Sequence, residues 1–232
     1  DQNTLAFMAG ALAALMTTET SDSHINADKV VGWVGGGENT AVNDFLVGYI
    51  DGVNYVDPSI EVLYSYVGDW TNSAKATELA NAQYDMGADV IFAVAGGAGF
   101  GACESAAATG HYAFGVDTDF AAQLEQSGSA TADYVVSSAI KQFGQVVYDA
   151  MVKFYNGELE FGKHTNCDVS SGYLEMLETK QFEEIVKEGM PDVYKRYTEI
   201  CQELKDGKIE VGTAVGATPE YVAQKKAEAA AH

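Results

Sequence analysis

The residues best suited to chemistry lie in one stretch, Ala88 to Asp119, reading ADVIFAVAGGAGFGACESAAATGHYAFGVDTD. Gly97-Ala98-Gly99-Phe100-Gly101-Ala102 fits the G-x-G-x-x-A spacing of a dinucleotide-binding turn, and Asp117 follows Gly97 by 20 residues. That offset suits a carboxylate that grips a ribose. Backbone N–H groups of such a loop, and of the helix that follows, hold ligand oxygen atoms. A carboxylate at the end of the next strand accepts bonds from two neighbouring sugar hydroxyls. Three readings stay open at this point: a nicotinamide cofactor site, a site for a ribose compound without phosphate, and glycines that only permit a tight strand-to-helix turn. Asp119 is either a second ligand group or the cap of the following helix. Paired carboxylates also suit glycosidase chemistry, but nothing around Asp117 and Asp119 separates an acid from a nucleophile.

Two further positions point to the same edge. Trp70 follows the strand-like EVLYSYV within YVGDWTNSAK. It reads either as core or as a ring on a polar loop, where stacking on a nucleobase contributes roughly 1–3 kcal/mol. Asn72 offers donor and acceptor to a base edge, or caps the next helix. Lys141 is the only lysine or arginine between Lys75 and Lys153. It reads as lying at the start of a long helix, where a cation gains nothing from the helix dipole. Pairing with Asp117 or Asp119, or bonding a ligand oxygen, explains it better than chance exposure.

Other chemistries find little support. There is no nucleophile elbow, phosphate-binding P-loop, H-E-x-x-H or kinase signature. The 232 residues carry a formal net charge of −21 with only 13 lysines and arginines, spread rather than gathered in a tail. A nucleic-acid partner is excluded on that ground. The three cysteines, Cys103, Cys167 and Cys201, include no C-x-x-C pair, so no zinc site is expected. Cys103 reads as core, and Cys167 and Cys201 are free to pair or not. The four histidines, His24, His111, His164 and His232, are scattered. No apolar run reaches the roughly 20 residues that span a bilayer.

The elements that must position these groups alternate. Residues 3–17 form a helix with so broad an apolar face that it needs cover. Strands are expected at KVVGWV, Glu61–Val67, Asp89–Val94, His111–Val116 and Tyr134–Ser138. Helices are expected at Asn39–Val53, Ser73–Met86 (capped by Ser73), Gly101–Thr109 and from about Ala139 to Tyr155. Beyond Gly162 the pattern weakens to a strand at Tyr173–Leu177, helices at Gln181–Gly189 and Pro191–Leu204, and a final surface helix. Strand–helix alternation means an α/β fold: a parallel sheet with helices on both faces and ligands at the carboxyl ends of the strands. GGGEN after Val34 and GGAGFG after Ala95 both fall at those ends.

The chain resembles the basic membrane protein family, the purine nucleoside receptors of ABC transporters. The resemblance is carried by FMAGALAALMT, VGWVGGGEN, DFLVGYIDGVNYVDPSIEV, YVGDWTNSAKATELANAQYDMGADVIFAVAGGAGFGACESA, GVDTD and SSAIKQFGQVVYDAM, from about Leu5 to Met151. It implies a type I periplasmic-binding-protein fold whose two lobes close on a solute, with no cofactor and no bond made or broken. It implies that Trp70, where the family usually has Phe, stacks on the base. Gly96, Gly97 and Gly99 would approach the ligand through their backbone. Asp117 would take the ribose hydroxyls, helped by Lys141, and Asn72 would replace a common acidic residue. It further implies a membrane permease as partner and an extracytoplasmic place, with a lipid anchor upstream.

Against that pattern, most of the amino-terminal lobe is missing. Residues 1–27 are expected to be its remnant, 28–138 the carboxyl-terminal lobe, and 139–232 a crossover helix with segments shared between lobes. A second chain or lobe is then expected to cover residues 5–16. The competing expectations are an NAD-dependent oxidoreductase, which the glycine spacing favours, and a signalling or interaction module that kept the fold without the ligand.

Overall fold

The computed structural model describes residues 1–229; His232 lies outside them. Six strands form one sheet: β1 (Val30–Gly35), β2 (Glu61–Tyr66), β3 (Ala88–Val94), β4 (Tyr112–Val116), β5 (Val135–Lys141) and β6 (Leu174–Met176). Their order is β2-β1-β3-β4-β5-β6. All neighbours are parallel except β6, which runs antiparallel to β5. β1, β3 and β4 are buried along their whole length. Their continuous apolar runs are what a strand covered on both faces requires. The order reverses between β1 and β3, and such a switch point opens a crevice at the carboxyl ends of the two strands.

The helices are α1 (Gln2–Thr17), α2 (Thr40–Val56), α3 (Ser73–Asp85), α4 (Phe100–Thr109), α5 (Phe120–Gln126), α6 (Phe143–Tyr155), α7 (Lys180–Phe182), α8 (Pro191–Lys205) and α9 (Pro219–Ala229). α7 runs on as a π-helical turn over Glu183–Glu188. On one face of the sheet α1, α2 and α8 share a core with Val31, Trp33, Phe92 and Phe114. On the other, α3, α4 and α5 close over Val34, Ile91, Ala93 and Ala113. Cys103 lies in that second core, where burial pushes its thiol up to about 12. Cys167 and Cys201 are both free thiols.

Most expected elements are present within a residue or two, and four differ. First, α1 needs no cover from another chain or lobe. Leu5, Ala9, Leu12, Ala13 and Met16 are fully buried, in the same core as the sheet. Residues 5–16 therefore pack in the same core as the sheet. The reason is reciprocal glycine contact with α2. A Cβ added at Gly10 would strike the Tyr49 carbonyl, and one at Gly48 or Gly52 the carbonyls of Asn3 and Phe7. The two backbones approach too closely for any side chain between them.

Second, β5 runs to Lys141, and α6 starts at Phe143 rather than Ala139. Third, Asn72 rather than Ser73 caps α3. Fourth, the last helix begins at Pro219, and the segment before it is bonded to α2. The buried Asp44 carboxylate accepts from the Thr213 hydroxyl and the Ala214 N–H, at 2.6 and 2.8 Å. No helix among the described residues is long and apolar enough to cross a membrane.

Candidate functional site

The loop from β2 to α3 is built by Asp69. Its carboxylate accepts the N–H groups of Thr71 and Asn72 at 2.6 and 3.0 Å and the Thr71 hydroxyl at 2.8 Å. The Thr71 N–H bond, followed by its hydroxyl, holds the Asp69 carboxyl below the usual carboxylate range. The left-handed Gly68 makes the turn into this loop. Trp70 is thereby held out at the carboxyl edge, 48% exposed.

The Trp70 ring lies flat on Gly36, directly after β1, so that a Cβ there would fall inside the indole. A Cβ built on Gly96, after β3, would lie 3.6 Å from the same ring. The ring thus spans the β1/β3 switch point. Two backbone bonds fix the arrangement: Gly36 N–H to the Val94 carbonyl at 2.9 Å, and Ala98 N–H to the Trp70 carbonyl at 2.8 Å. The run Gly35-Gly36-Gly37 was legible as a strand-end loop. That a ring must lie against it is the reason no side chain is tolerated there.

The glycine loop divides. Gly96 to Gly99 form a short 3₁₀ turn leading into α4, with Gly96 left-handed at φ +54°. Gly96 and Gly97 reach the surface. Gly99 is buried; a Cβ there would sit 3.2 Å from the Phe120 ring and 3.4 Å from Ala93. Gly101 packs α4 onto the Ser73 carbonyl of α3. Of the three glycines named as ligand contacts, only Gly96 and Gly97 face the edge.

Asp117 directly follows β4 with φ +62°, one of two non-glycine residues in the left-handed region among the described residues. Such backbone costs of order 1–3 kcal/mol and gathers at functional sites. Its N–H is bonded to the Ala139 carbonyl of β5 at 2.8 Å. Its Oδ1 pairs with Lys141 Nζ at 2.9 Å, the side chains being 48% and 21% exposed. Lys141 comes from the carboxyl end of β5, beside β4, which is why the two meet.

The remaining candidates serve the scaffold. Asp119 caps α5, accepting the Ala122 N–H at 3.0 Å. Asn72 Oδ1 accepts the Lys75 N–H at 3.0 Å as the cap of α3. Trp70, Gly96, Gly97, Asp117 and Lys141 share one edge, along the carboxyl ends of neighbouring strands. From β1 to β4 is two strand spacings, roughly 10 Å.

Sequence reasoning missed two features of this edge. Phe45 of α2 lies beneath Lys141, whose Nζ is 4.8 Å from the ring centroid. Lys226 of α9 reaches Glu38 in the loop after β1 at 2.5 Å and lies 4.8 Å over the Tyr66 ring. Phe45 falls on the buried side of an amphipathic helix, which marks it only as core. Glu38 and Lys226 are 188 residues apart, and nothing local in either segment points to the other.

The family model described as "ABC transporter substrate-binding protein PnrA-like" matches residues 1–208. Basic membrane protein D of Borreliella burgdorferi (strain JD1) is 30% identical over 210 residues, covering 89% of this chain and 56% of that protein. The ABC transporter nucleoside-binding protein BmpA of Lactococcus lactis subsp. cremoris is 28% identical over 184 residues, or 75% of this chain and 50% of that one. The chain thus spans about half the length of the curated relatives it matches. Among solved structures, an ABC transporter system solute-binding protein from Aeropyrum pernix K1 superposes with a TM-score of 0.76 at 20% identity, over 98% of this chain and 70% of that one. A transcriptional activator of comK from Bacillus halodurans follows with a TM-score of 0.67 at 22% identity, over 88% and 62%.

Proposed function

The chain belongs to the PnrA-like family of ABC transporter substrate-binding proteins, and on that premise we propose that it captures a purine nucleoside for import, without chemistry. The observation that carries this reading is Asp117. A carboxylate held in left-handed backbone, paired with Lys141 through Oδ1, stands ready at the ligand edge. Such a carboxylate suits two adjacent hydroxyls. A charge-assisted bond of that kind contributes roughly 1.5–3 kcal/mol.

Trp70 supplies the second half of the recognition. A ring already lying flat on glycine presents its other face for stacking on a base. The spacing between the two groups suits a ligand with a flat ring at one end and a sugar at the other. The relative named as nucleoside-binding supports the same class. Gly96 and Gly97 would add backbone contacts at the crevice. In this reading the chain supplies one jaw of a receptor that acts outside the cytoplasm and hands its solute to a membrane permease.

Thermal unfolding with inosine, guanosine, adenosine, cytidine, ribose and NAD at millimolar concentration tests this. A ligand at 100 times its Kd adds about 2.7 kcal/mol. Stabilisation by purine nucleosides, weakened for base-containing ligands by Trp70→Ala and for all riboside ligands by Asp117→Ala, is the expected outcome. Stabilisation by NAD alone would move the reading to a dehydrogenase. Equal affinity of wild type and Trp70→Ala for inosine would remove the stacking role.

A further inference from the structure

We propose that Phe45 is a positioning residue for the candidate site: its ring holds the Lys141 ammonium so that Asp117 keeps one oxygen free for the ligand. This rests on the reading of the β4–β5 edge as a sugar-binding site. The observation is a three-part cluster. Lys141 Nζ lies 2.9 Å from Asp117 Oδ1, 4.8 Å from the centre of the Phe45 ring and 5.5 Å from that of Phe143.

The two rings differ in kind. Phe45 is 5% exposed and meets Phe92 edge-on at 6.2 Å, so its plane is fixed by the core. Phe143 is 61% exposed at the first turn of α6. A ring fixed in the core is a permanent electrostatic seat; a ring in water is a weak one.

The seat matters because a lysine is a poor clamp by itself. Its ammonium is a point charge on a flexible stem, and ordering it costs side-chain entropy. A partly exposed ion pair alone contributes little toward that cost. Asp117 is the only carboxylate paired with Lys141 among the described residues. A second anion would have competed for the ligand; an aromatic face attracts the cation and leaves no acceptor behind. α2 supplies the ring through Phe45 on its buried side, where it packs against Phe92 of β3.

The test grades the ring without changing its shape. Phe45 is replaced by phenylalanines bearing one, two and three ring fluorines, which weaken the cation–π attraction stepwise, and by Phe45→Leu, which abolishes it. Inosine and 2′,3′-dideoxyinosine affinities are measured by calorimetry. The expected result is a graded loss of inosine affinity, about threefold at full fluorination and roughly tenfold in Phe45→Leu. The preference for inosine over the dideoxy compound should fall in parallel, while Phe143→Leu changes either affinity by less than about twofold. A merely structural role would not follow the fluorine count.

A second readout needs no ligand. The rate at which Lys141 is acylated by a water-soluble ester is followed by mass spectrometry, with exposed Lys153 as internal standard. It should rise several-fold in Phe45→Leu and in graded steps across the fluorinated set. If wild type binds no ribonucleoside, the sugar-site reading fails, and this rate still decides whether Phe45 holds the lysine. Equal Lys141 rates in wild type and every Phe45 variant would overturn the inference.

Discussion

Helices α1 and α6 are similarly rich in apolar residues, yet α1 has no exposed apolar face and α6 has no buried residue. Along α6 the exposed side chains Phe143, Val147, Met151 and Phe154 form a stripe at helical spacing, with Tyr148 and Tyr155 beside it. The two helices differ in the size of their side chains and in what the chain offers opposite them. α1 carries Ala6, Ala9, Gly10, Ala13 and Ala14, small residues that let α2 approach backbone to backbone. α6 carries large rings and a methionine, which need a deep, shaped surface, and no element among the described residues provides one. Apolar content alone does not decide burial; complementarity does. The core runs on past α6 through Leu174, Phe182, Val193 and Ile200, so α6 is a gap in burial rather than its end.

The largest test of this contrast is a matched pair of glycines. A Cβ at Gly52 would fall on the Phe7 carbonyl, whereas one at Gly144 in α6 meets nothing within 4 Å. Gly52→Ala should destabilise by roughly 3 kcal/mol, the upper range of overpacking. Gly144→Ala should leave stability unchanged or raise it by up to about 1 kcal/mol through helix propensity. Urea unfolding midpoints measure both. Equal midpoints would mean that α1 and α2 can separate at little cost, and the explanation of α1 burial would fail.

The next test concerns the end of α1. Thr17, its last residue, donates its hydroxyl to the buried Asp89 at the start of β3, and Asp89 also accepts the Asn26 N–H at 2.8 Å. Burial raises the Asp89 carboxyl to about 6, against the lowering effect of those two bonds. The folded state therefore binds this proton more tightly than the unfolded chain does. Stability from this group is full below the unfolded value near 3.8 and is lost as pH rises toward about 6. The whole window corresponds to about 3 kcal/mol. Asp89→Asn keeps the Asn26 bond, and Thr17 can reverse its hydroxyl to accept from the new amide. The variant should gain about 2 kcal/mol over wild type at pH 7.5 and lose that advantage at pH 4. A constant difference across that range, measured by thermal unfolding, would mean that the charge is solvated and α1 is not latched there.

What was legible and what was not follows the same division between local and distant causes. The strands were readable because KVVGWV, ADVIFAV and YAFGV are short apolar runs bounded by glycine. The Trp70 loop was readable because Asp69, Thr71 and Asn72 form a polar cluster around an aromatic, and in the structure Asp69 does organise it. The end of β5 was hidden because AIKQFGQVVYDAM keeps helical spacing across the true boundary, with no proline or glycine between Ala139 and Lys141 to mark it. Lys141 therefore read as a helix residue although it closes a strand. Gly99 was expected to meet the ligand because the family resemblance takes Gly96, Gly97 and Gly99 together, whereas Phe120 claims the space above it. Phe45, Lys226 and the cover over α1 depend on which distant segment lies opposite, and local periodicity carries no record of that.

The smallest expected effect lies on α6 itself and sharpens the comparison most. Met151 is 66% exposed in the middle of the apolar stripe. If nothing in this chain covers that stripe, Met151→Glu removes no packing and buries no charge. Its cost should stay within about 0.5 kcal/mol, as at other exposed positions. The equivalent change on the buried helix, Leu12→Glu, places a carboxylate in the fully buried core and should prevent folding. Light scattering with unfolding curves on Met151→Glu separates two cases. An unchanged midpoint in a monodisperse monomer would mean the stripe is open in solution. A drop of 2 kcal/mol or more, with loss of a larger species, would mean that copies of the chain already cover it. In the first case the core on the α1 side is complete without α6, and the helix can be redesigned for solubility without touching Asp117, Lys141 or Trp70.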